Sequence, residues 1–142
     1  MYTALFLTIP ALFCMGYFFM GSLHLLVLNH DTPLDARFIR GFFNTYYLAL
    51  ACTATLGTLG YALAGHVAFS AGLATVAALA LILRKTVLPH MDALRTRIEN
   101  GDASAATDFR RIHIAGMVFN VVQLVAVVWG MFQVAAQAAQ HL

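Results

Sequence analysis

Charged side chains are missing from most of this chain. All fourteen Asp, Glu, Lys and Arg residues of the 142-residue sequence fall within 31–40 and 84–111, which leaves 1–30, 41–83 and 112–142 without formal charge. Charged residues make up 10% of the sequence, whereas a soluble domain usually carries about a quarter. This absence excludes an ordinary soluble domain.

Cysteine is scarce as well. The chain contains two cysteines, Cys14 and Cys52, and both fall in uncharged stretches. A free thiol buried in an apolar environment behaves as a small hydrophobic side chain. We therefore expect no disulfide between them, and the cysteines do not identify the compartment.

The uncharged stretches have the lengths of membrane spans. About 20 apolar residues in a helix cross the hydrocarbon core of a bilayer. Each terminal stretch holds one span, and the central stretch holds two, separated at Ala64-Gly65-His66. Because backbone groups in lipid must pair internally, we predict a single domain, 1–142. It is an all-α integral membrane protein, an antiparallel four-helix transmembrane bundle with spans at about 2–28, 38–64, 69–87 and 106–137.

Turn and capping residues mark the ends of these spans. Thr32-Pro33 is typical of an N-cap followed by the first helical position. Pro89 is expected to kink or end span 3, and a short amphipathic segment, 90–100, follows it on the cytoplasmic side. Asn100-Gly101 closes this segment and Asp102 caps the next helix.

The basic residues predict the topology. All eight Lys and Arg residues lie in the two windows that connect spans 1–2 and 3–4, and four spans bring both windows to one side. The positive-inside rule makes that side cytoplasmic. We therefore expect both termini on the non-cytoplasmic side of a bacterial inner (plasma) membrane.

Two histidines lie within predicted spans. His24 is one to two turns inside span 1 and His113 about two turns inside span 4, and an ionisable side chain at such depth is a functional hypothesis by default. Met20 precedes His24 by four residues and Met117 follows His113 by four, so each pair shares a helix face. We expect the two histidines in one layer, with the methionines one turn deeper.

Further polar residues lie at similar depth. The His113 face of span 4 continues through Gly116, which leaves room for a planar group or a neighbouring helix, to Asn120. Span 2 contributes a polar face of its own. Together these residues predict one pocket that opens to the cytoplasm, with the candidate cofactor-binding residues His24, His113, Asn120, Met20, Met117, Arg37, Arg40, Asn44 and Tyr47.

Three kinds of ligand suit such a pocket. His24 and His113 are candidate metal ligands that can hold haem b axially, with nearby arginines pairing the propionates. His and Met side chains can alternatively bind Cu(I). A metal-free pocket can bind a quinone or another polyaromatic ligand, with His113 as an acid or base. The structural alternative is that these groups only hydrogen-bond neighbouring helices.

Spans 3 and 4 carry a family resemblance. The stretch 87–94 (VLPHMDAL) is followed by Gly101-Asp102 and by 109–120 (FRRIHIAGMVFN). These stretches resemble uncharacterised bacterial four-span membrane proteins with a domain of unknown function, which have an F-x-x-[LI]-H-x-x-[SG]-x-x-x-N motif at the start of span 4. That group is distantly similar to anthrone-oxygenase-like membrane proteins. The resemblance implies a four-span fold, with Phe109, His113 and Asn120 as motif positions, and no particular activity.

The sequence therefore predicts a small membrane protein whose pocket binds haem b or a hydrophobic redox ligand such as a quinone. The alternatives are a non-catalytic accessory or structural subunit, and a small transporter that acts as a homo-oligomer. The expected partners are the lipid bilayer and a second copy or a larger membrane complex, and no nucleic acid. The sequence does not decide whether the protein is an enzyme.

Overall fold

The computed structural model describes residues 2–139, and this part of the chain forms four α-helices without β-strands. They are α1 (Tyr2–Leu25), α2 (Pro33–Leu63), α3 (Val67–Glu99) and α4 (Ala103–Ala139). All four are long and apolar enough to cross a bilayer. The predicted all-helical fold with four membrane-length helices is confirmed, while Met1 and residues 140–142 lie outside the described part.

The predicted capping residues begin and end the helices. Thr32 has extended backbone angles, and its hydroxyl accepts a hydrogen bond from the amide of Asp35 at 3.1 Å. The carboxylate of Asp102 accepts from the amide of Ser104 at 2.9 Å. These contacts satisfy amide groups that have no partner within the first turn of a helix, so the sequence located the start of α2 and of α4.

Two glycines form the turns between helices. Gly65 has φ +79° between α2 and α3, and Gly101 has φ +82° between α3 and α4. Left-handed backbone angles of this kind favour glycine because it has no Cβ. The predicted break after Ala64 and the predicted end at Asn100 are therefore formed by residues suited to them.

Pro89 does not end the third helix. The helix α3 continues through it as far as Glu99, so the predicted amphipathic segment 90–100 is the last part of α3 and not a separate element. Its apolar residues, Met91, Leu94 and Ile98, are buried as the spacing predicted. We attribute the continuation to this packing, because neighbouring helices allow proline to be tolerated within a helix.

The helices pack as an up-and-down bundle in which each contacts its neighbours in sequence and α1 also contacts α4. The α2–α3 contact is the most extensive and α1–α4 is the smallest of these four. Small residues on α2 allow close approach: a Cβ added at Gly57 would lie 2.9 Å from Leu73 Cδ1, and one at Gly60 would lie 2.9 Å from Leu7 Cδ1. This face therefore packs within the bundle.

The two charged windows meet at one end of the bundle, which we call the charged end. It comprises the connections 26–32 and 100–102 with the adjoining helix termini. Arg40 of α2 binds Asp92 of α3 there through two guanidinium nitrogens, at 2.9 to 3.2 Å. The pair is about one-third exposed, so it fixes the register of α2 against α3 more than it adds stability.

Candidate functional site

Buried polar side chains are concentrated between α1, α4 and the 26–32 connection. Ser22, His30, His113 and Asn120 are each at most 1% exposed. Buried polar groups need hydrogen-bond partners, because an unpaired one carries its full desolvation penalty. The direction of each hydrogen bond therefore indicates what this region can bind.

A histidine pair forms the centre of the region. His30 Nε2 lies 2.9 Å from His113 Nδ1, and both rings are fully buried. The pair packs against Phe109, whose ring centroid is 6.2 Å from that of His30, and against Phe43, at 5.6 Å from His113. A residue of the connection after α1 is thereby joined to the first third of α4.

The hydrogen bonds of His30 assign both tautomers. Its Nδ1 lies at hydrogen-bonding distance from the carbonyl oxygen of Leu28, which can only accept, so Nδ1 carries the proton. The Nε2 of a neutral His30 then accepts from His113 Nδ1–H. Burial, with a smaller contribution from Arg110, lowers the pKa of His30, and its hydrogen bond to Leu28 and the carboxylates of Asp35 and Asp31 only partly offset this. The ring is therefore neutral near pH 7.

These tautomers leave a lone pair on His113 Nε2. This nitrogen is buried and has no hydrogen-bond partner among residues 2–139. The same holds for the hydroxyl of Ser22. The site thus contains one buried acceptor and one buried hydroxyl that the described protein groups do not satisfy.

A second polar contact lies deeper in the bundle. The Tyr46 hydroxyl donates to Asn120 Oδ1 at 2.6 Å, and Asn120 Nδ2 donates to the carbonyl oxygen of Met15 at 3.1 Å. Asn120 therefore joins α2, α4 and α1 through both ends of its amide. This arrangement matches the structural alternative, in which polar side chains connect neighbouring helices.

The structure does not bring His24 and His113 together, although the sequence predicted that they would share one layer. His24 is exposed on α1, and its Nδ1 donates to the carbonyl oxygen of Met20 at 2.7 Å. Met20 is 51% exposed, whereas Met117 is 7% exposed. The four-residue spacing correctly predicts that each His and Met share a face, but the two faces point in different directions, and His30 occupies the position next to His113.

The space beside Gly116 is filled by an aromatic ring. A Cβ at Gly116 would lie 2.5 Å from Phe43 Cε1, so the room expected for a planar cofactor holds the Phe43 side chain. With His24 pointing outward on α1 and the space beside Gly116 filled, these residues do not fit a haem held axially between His24 and His113. Residues 2–139 also contain no cluster of three or more His, Cys, Asp or Glu side chains suited to a metal ion.

The four polar residues predicted on α2 are separated. Arg40 binds Asp92, and Asn44 Oδ1 accepts from Arg84 Nε at 3.0 Å, so both face α3. Tyr47 is buried against Phe43 at a centroid distance of 5.9 Å. Arg37 is exposed; it borders a depression that it shares with Arg40 and Asp92, and it also lines a groove against α1.

This groove has a volume of about 620 Å³. It follows α1 and α2 from the charged end toward the middle of the bundle. Phe18 stacks on Tyr46 at a centroid distance of 3.9 Å and on Phe42 at 5.3 Å, which fixes the aromatic wall. The lining residues are Cys14, Tyr17, Phe18, Leu34, Arg37, Phe38, Gly41, Phe42, Thr45, Tyr46 and Ala49. A long apolar surface thus has a guanidinium at one end.

No protein-family model, curated protein or solved structure matches the chain significantly. The chemistry of the site therefore has to be argued from its own geometry, and the resemblance of spans 3 and 4 stays a prediction. The positions that carry that resemblance, Phe109, His113 and Asn120, are all buried.

Two features of the site were missed by the sequence reasoning. His30 has φ +63°, a conformation that His tolerates better than most residues, and this angle lets a connection residue reach into the bundle. No local pattern signals a contact across 83 residues. The groove was missed because the reasoning followed the polar residues of α2, whereas the groove is lined mostly by apolar and aromatic side chains of α1 and α2.

Proposed function

We propose that this protein is a multi-pass membrane protein that binds a hydrophobic ligand of the quinone type in the groove between α1 and α2. The observation that carries the proposal is an aromatic groove of about 620 Å³ with Arg37 at its charged end. Ligand sites of this size are commonly apolar and aromatic, with a few polar groups that orient the ligand. A quinone has matching parts: its carbonyl oxygens can bind Arg37, its flat ring can pack on the aromatic side chains, and its isoprenoid tail can follow the apolar part of the groove.

The groove has suitable chemistry along its length. From Arg37 to Ala49 it extends along α2 by roughly 18 Å, which accommodates a ring followed by part of a tail. Arg37 has no carboxylate within ion-pair distance in the described part of the chain, so its donors are available to a ligand oxygen. Cys14, Thr45 and Tyr46 add a few polar atoms to an otherwise apolar lining.

The proposed setting is the bacterial inner membrane with the charged end in the cytoplasm. The positive-inside rule supports this orientation, because every Lys and Arg lies in the two charged windows that meet at that end. Arg37 would then lie near the cytoplasmic headgroups, and the ligand tail would point toward the bilayer centre.

A glycine in the groove provides a direct test. A Cβ at Gly41 meets no atom within 4 Å, so Gly41→Leu introduces a side chain into the groove without a clash at its Cβ, and Gly72→Leu on α3 makes the same change away from the groove. We expect a short-chain quinone analogue to raise the thermal unfolding midpoint of the wild type and of Gly72→Leu saturably, because binding stabilises the folded state. We expect Gly41→Leu to lose this rise.

The remaining results of that experiment would contradict the proposal. An equal rise in both leucine variants would show that the quinone binds elsewhere. If no variant responds and only phospholipid copurifies with the wild type, the groove is an annular lipid surface.

The arginine in the groove provides a second test. Arg37→Gln should reduce the rise in the unfolding midpoint that the quinone analogue causes. Arg110→Gln, which removes an exposed arginine outside the groove, should leave this rise unchanged.

The second candidate is a non-catalytic accessory or structural subunit. The contact of Tyr46 with Asn120 and Met15 favours it, because this buried polar group is satisfied within the bundle and has no capacity left for a substrate. Purification of the protein from mild detergent in a stable complex with another membrane protein, without a quinone response, would favour this candidate over the first.

A further inference from the structure

Three arginines surround one depression on the surface between α2 and α3, at the charged end. Arg37 and Arg40 of α2 and Arg95 of α3 line it together with Gly41 and Asp92, and its volume is about 580 Å³. A second depression, of about 540 Å³, shares Arg37 and Arg95 with the first. A Cβ at Gly41 would meet no atom within 4 Å, so the first depression is open at this residue.

The carboxylate of Asp92 holds two of these arginines in place. It accepts hydrogen bonds from Arg40 Nε and Nη2 at 2.9 to 3.2 Å, and its Oδ1 lies 3.7 Å from Arg95 Nη1. Arg95 Nε lies 3.5 Å from Glu99 Oε1, but this nitrogen is buried and has no hydrogen-bond partner among residues 2–139. Asp92 is thus used mainly by Arg40, and Arg95 keeps donors for a further acceptor.

The two depressions carry an excess of positive charge. Their lining contains three guanidinium groups and two carboxylates, Asp92 and Glu99. Arg37 has no carboxylate within ion-pair distance in the part of the chain described. A phosphate group suits this lining, because its oxygens accept charge-assisted hydrogen bonds and match the planar fork of arginine. The same charge disfavours a cation.

The position of the depressions favours the phosphate of a lipid over a free phosphate ion. Arg37 follows the start of α2 at Pro33 by four residues, and Arg95 precedes the end of α3 at Glu99 by four, which is about 6 Å along each helix. Leu34, which borders the second depression, is 74% exposed. Arginines beside an exposed leucine suit the boundary between headgroups and acyl chains, and basic pockets between membrane helices on the cytoplasmic side are typical sites for anionic headgroups.

We propose that the depression lined by Arg37, Arg40 and Arg95 binds the phosphodiester group of an anionic phospholipid such as phosphatidylglycerol. The phosphate binds Arg37 and Arg95, and Arg40 keeps Asp92 in place. Phosphatidylcholine binds less well, because its headgroup brings a cation beside three arginines. This inference rests on the proposed membrane setting and not on quinone binding. Arg95 lies outside the groove between α1 and α2, so the two proposals can fail separately.

Native mass spectrometry of the protein released from detergent micelles tests the preference for an anionic lipid. With phosphatidylglycerol and phosphatidylcholine at equal concentration, we expect the wild type to retain phosphatidylglycerol preferentially. Arg95→Gln should lower the ratio of the two bound lipids about tenfold, as for the loss of one charge-assisted hydrogen bond. Arg97→Gln is the matched control, because the donors of Arg97 already bind Asp102 and Ser104, and it should keep the wild-type ratio.

A second variant and a second ligand complete the test. Arg37→Gln removes a guanidinium that has no ion pair to lose, so the bundle keeps its contacts, and we expect a loss similar to that of Arg95→Gln. Equal ratios in Arg95→Gln and Arg97→Gln, or no preference in the wild type, would overturn the proposal. Inorganic phosphate should not raise the thermal unfolding midpoint of the wild type. A rise as large as that caused by phosphatidylglycerol would identify a free anion as the ligand and contradict the lipid assignment.

Discussion

At the residue scale, the direction of each hydrogen bond decides what a buried polar group can do. Asn120 uses its oxygen to accept from Tyr46 and its nitrogen to donate to Met15, so its amide is fixed in one orientation. His113 donates through Nδ1 and keeps an unused acceptor at Nε2. Two polar residues on the same face of α4 thus have different roles: Asn120 connects helices, and His113 has capacity for a further partner.

Loss of the Tyr46 hydroxyl should destabilise the fold. Tyr46→Phe removes the donor to Asn120 Oδ1 and leaves a buried acceptor unpaired, which costs about 1–3 kcal/mol of the free energy of unfolding. Denaturant titration in mixed micelles measures this change. The matched control is Tyr17→Phe, because Tyr17 is 65% exposed, and we expect it to be close to neutral. Equal effects of the two substitutions would show that the Tyr46–Asn120 contact contributes nothing.

At the element scale, aromatic rings of α2 fill the places of missing side chains on the neighbouring helices. The Phe43 ring packs on Gly116 of α4, and the Phe42 ring packs on Gly21 of α1. Because Phe42 and Phe43 are adjacent in sequence, α2 contacts its neighbour α1 and the diagonally opposite α4 at one level. This packing sets the distance of α4 from α2, and it explains why the bundle has no room for a planar cofactor beside His113.

A methyl group at Gly116 should disturb this packing. Its Cβ would lie 2.5 Å from Phe43 Cε1 and 2.9 Å from Cζ, so Gly116→Ala forces the buried ring or the helix to shift, at about 1–3 kcal/mol. Gly72→Ala, with nothing within 4 Å of the added Cβ, should be neutral or gain up to about 1 kcal/mol from helix propensity. Unfolding titrations compare the two. If the double variant Gly116→Ala, Phe43→Leu recovers stability, the loss of unfolding free energy comes from the contact between residue 116 and the Phe43 ring. A Gly116→Ala variant as stable as the wild type would contradict the prediction.

At the scale of the whole molecule, the distribution of charge predicted most of the fold. The charge pattern predicted four helices of membrane length. Thr32, Gly65 and Asp102 predicted where helices begin or end, because caps and turns depend on residues nearby in the sequence. The site was harder to predict. Helical spacing states which residues share a face, but the rotation of each helix depends on its neighbours. His113 was therefore singled out correctly as a buried residue, whereas its contact with His30 depends on a backbone angle and on packing across the chain.

The orientation of the bundle follows from the same distribution of charge and can be measured directly. With Cys14 and Cys52 replaced by alanine, a single cysteine is introduced at Asn100 in the charged end or at His66 in the opposite connection. Because all eight Lys and Arg lie in the two charged windows that meet at the charged end, the positive-inside rule makes that end cytoplasmic. An impermeant thiol reagent should therefore label His66→Cys in intact spheroplasts and Asn100→Cys only after permeabilisation. Labelling of Asn100→Cys in intact spheroplasts would show the opposite orientation, with the Arg37 end of the groove on the non-cytoplasmic side of the membrane.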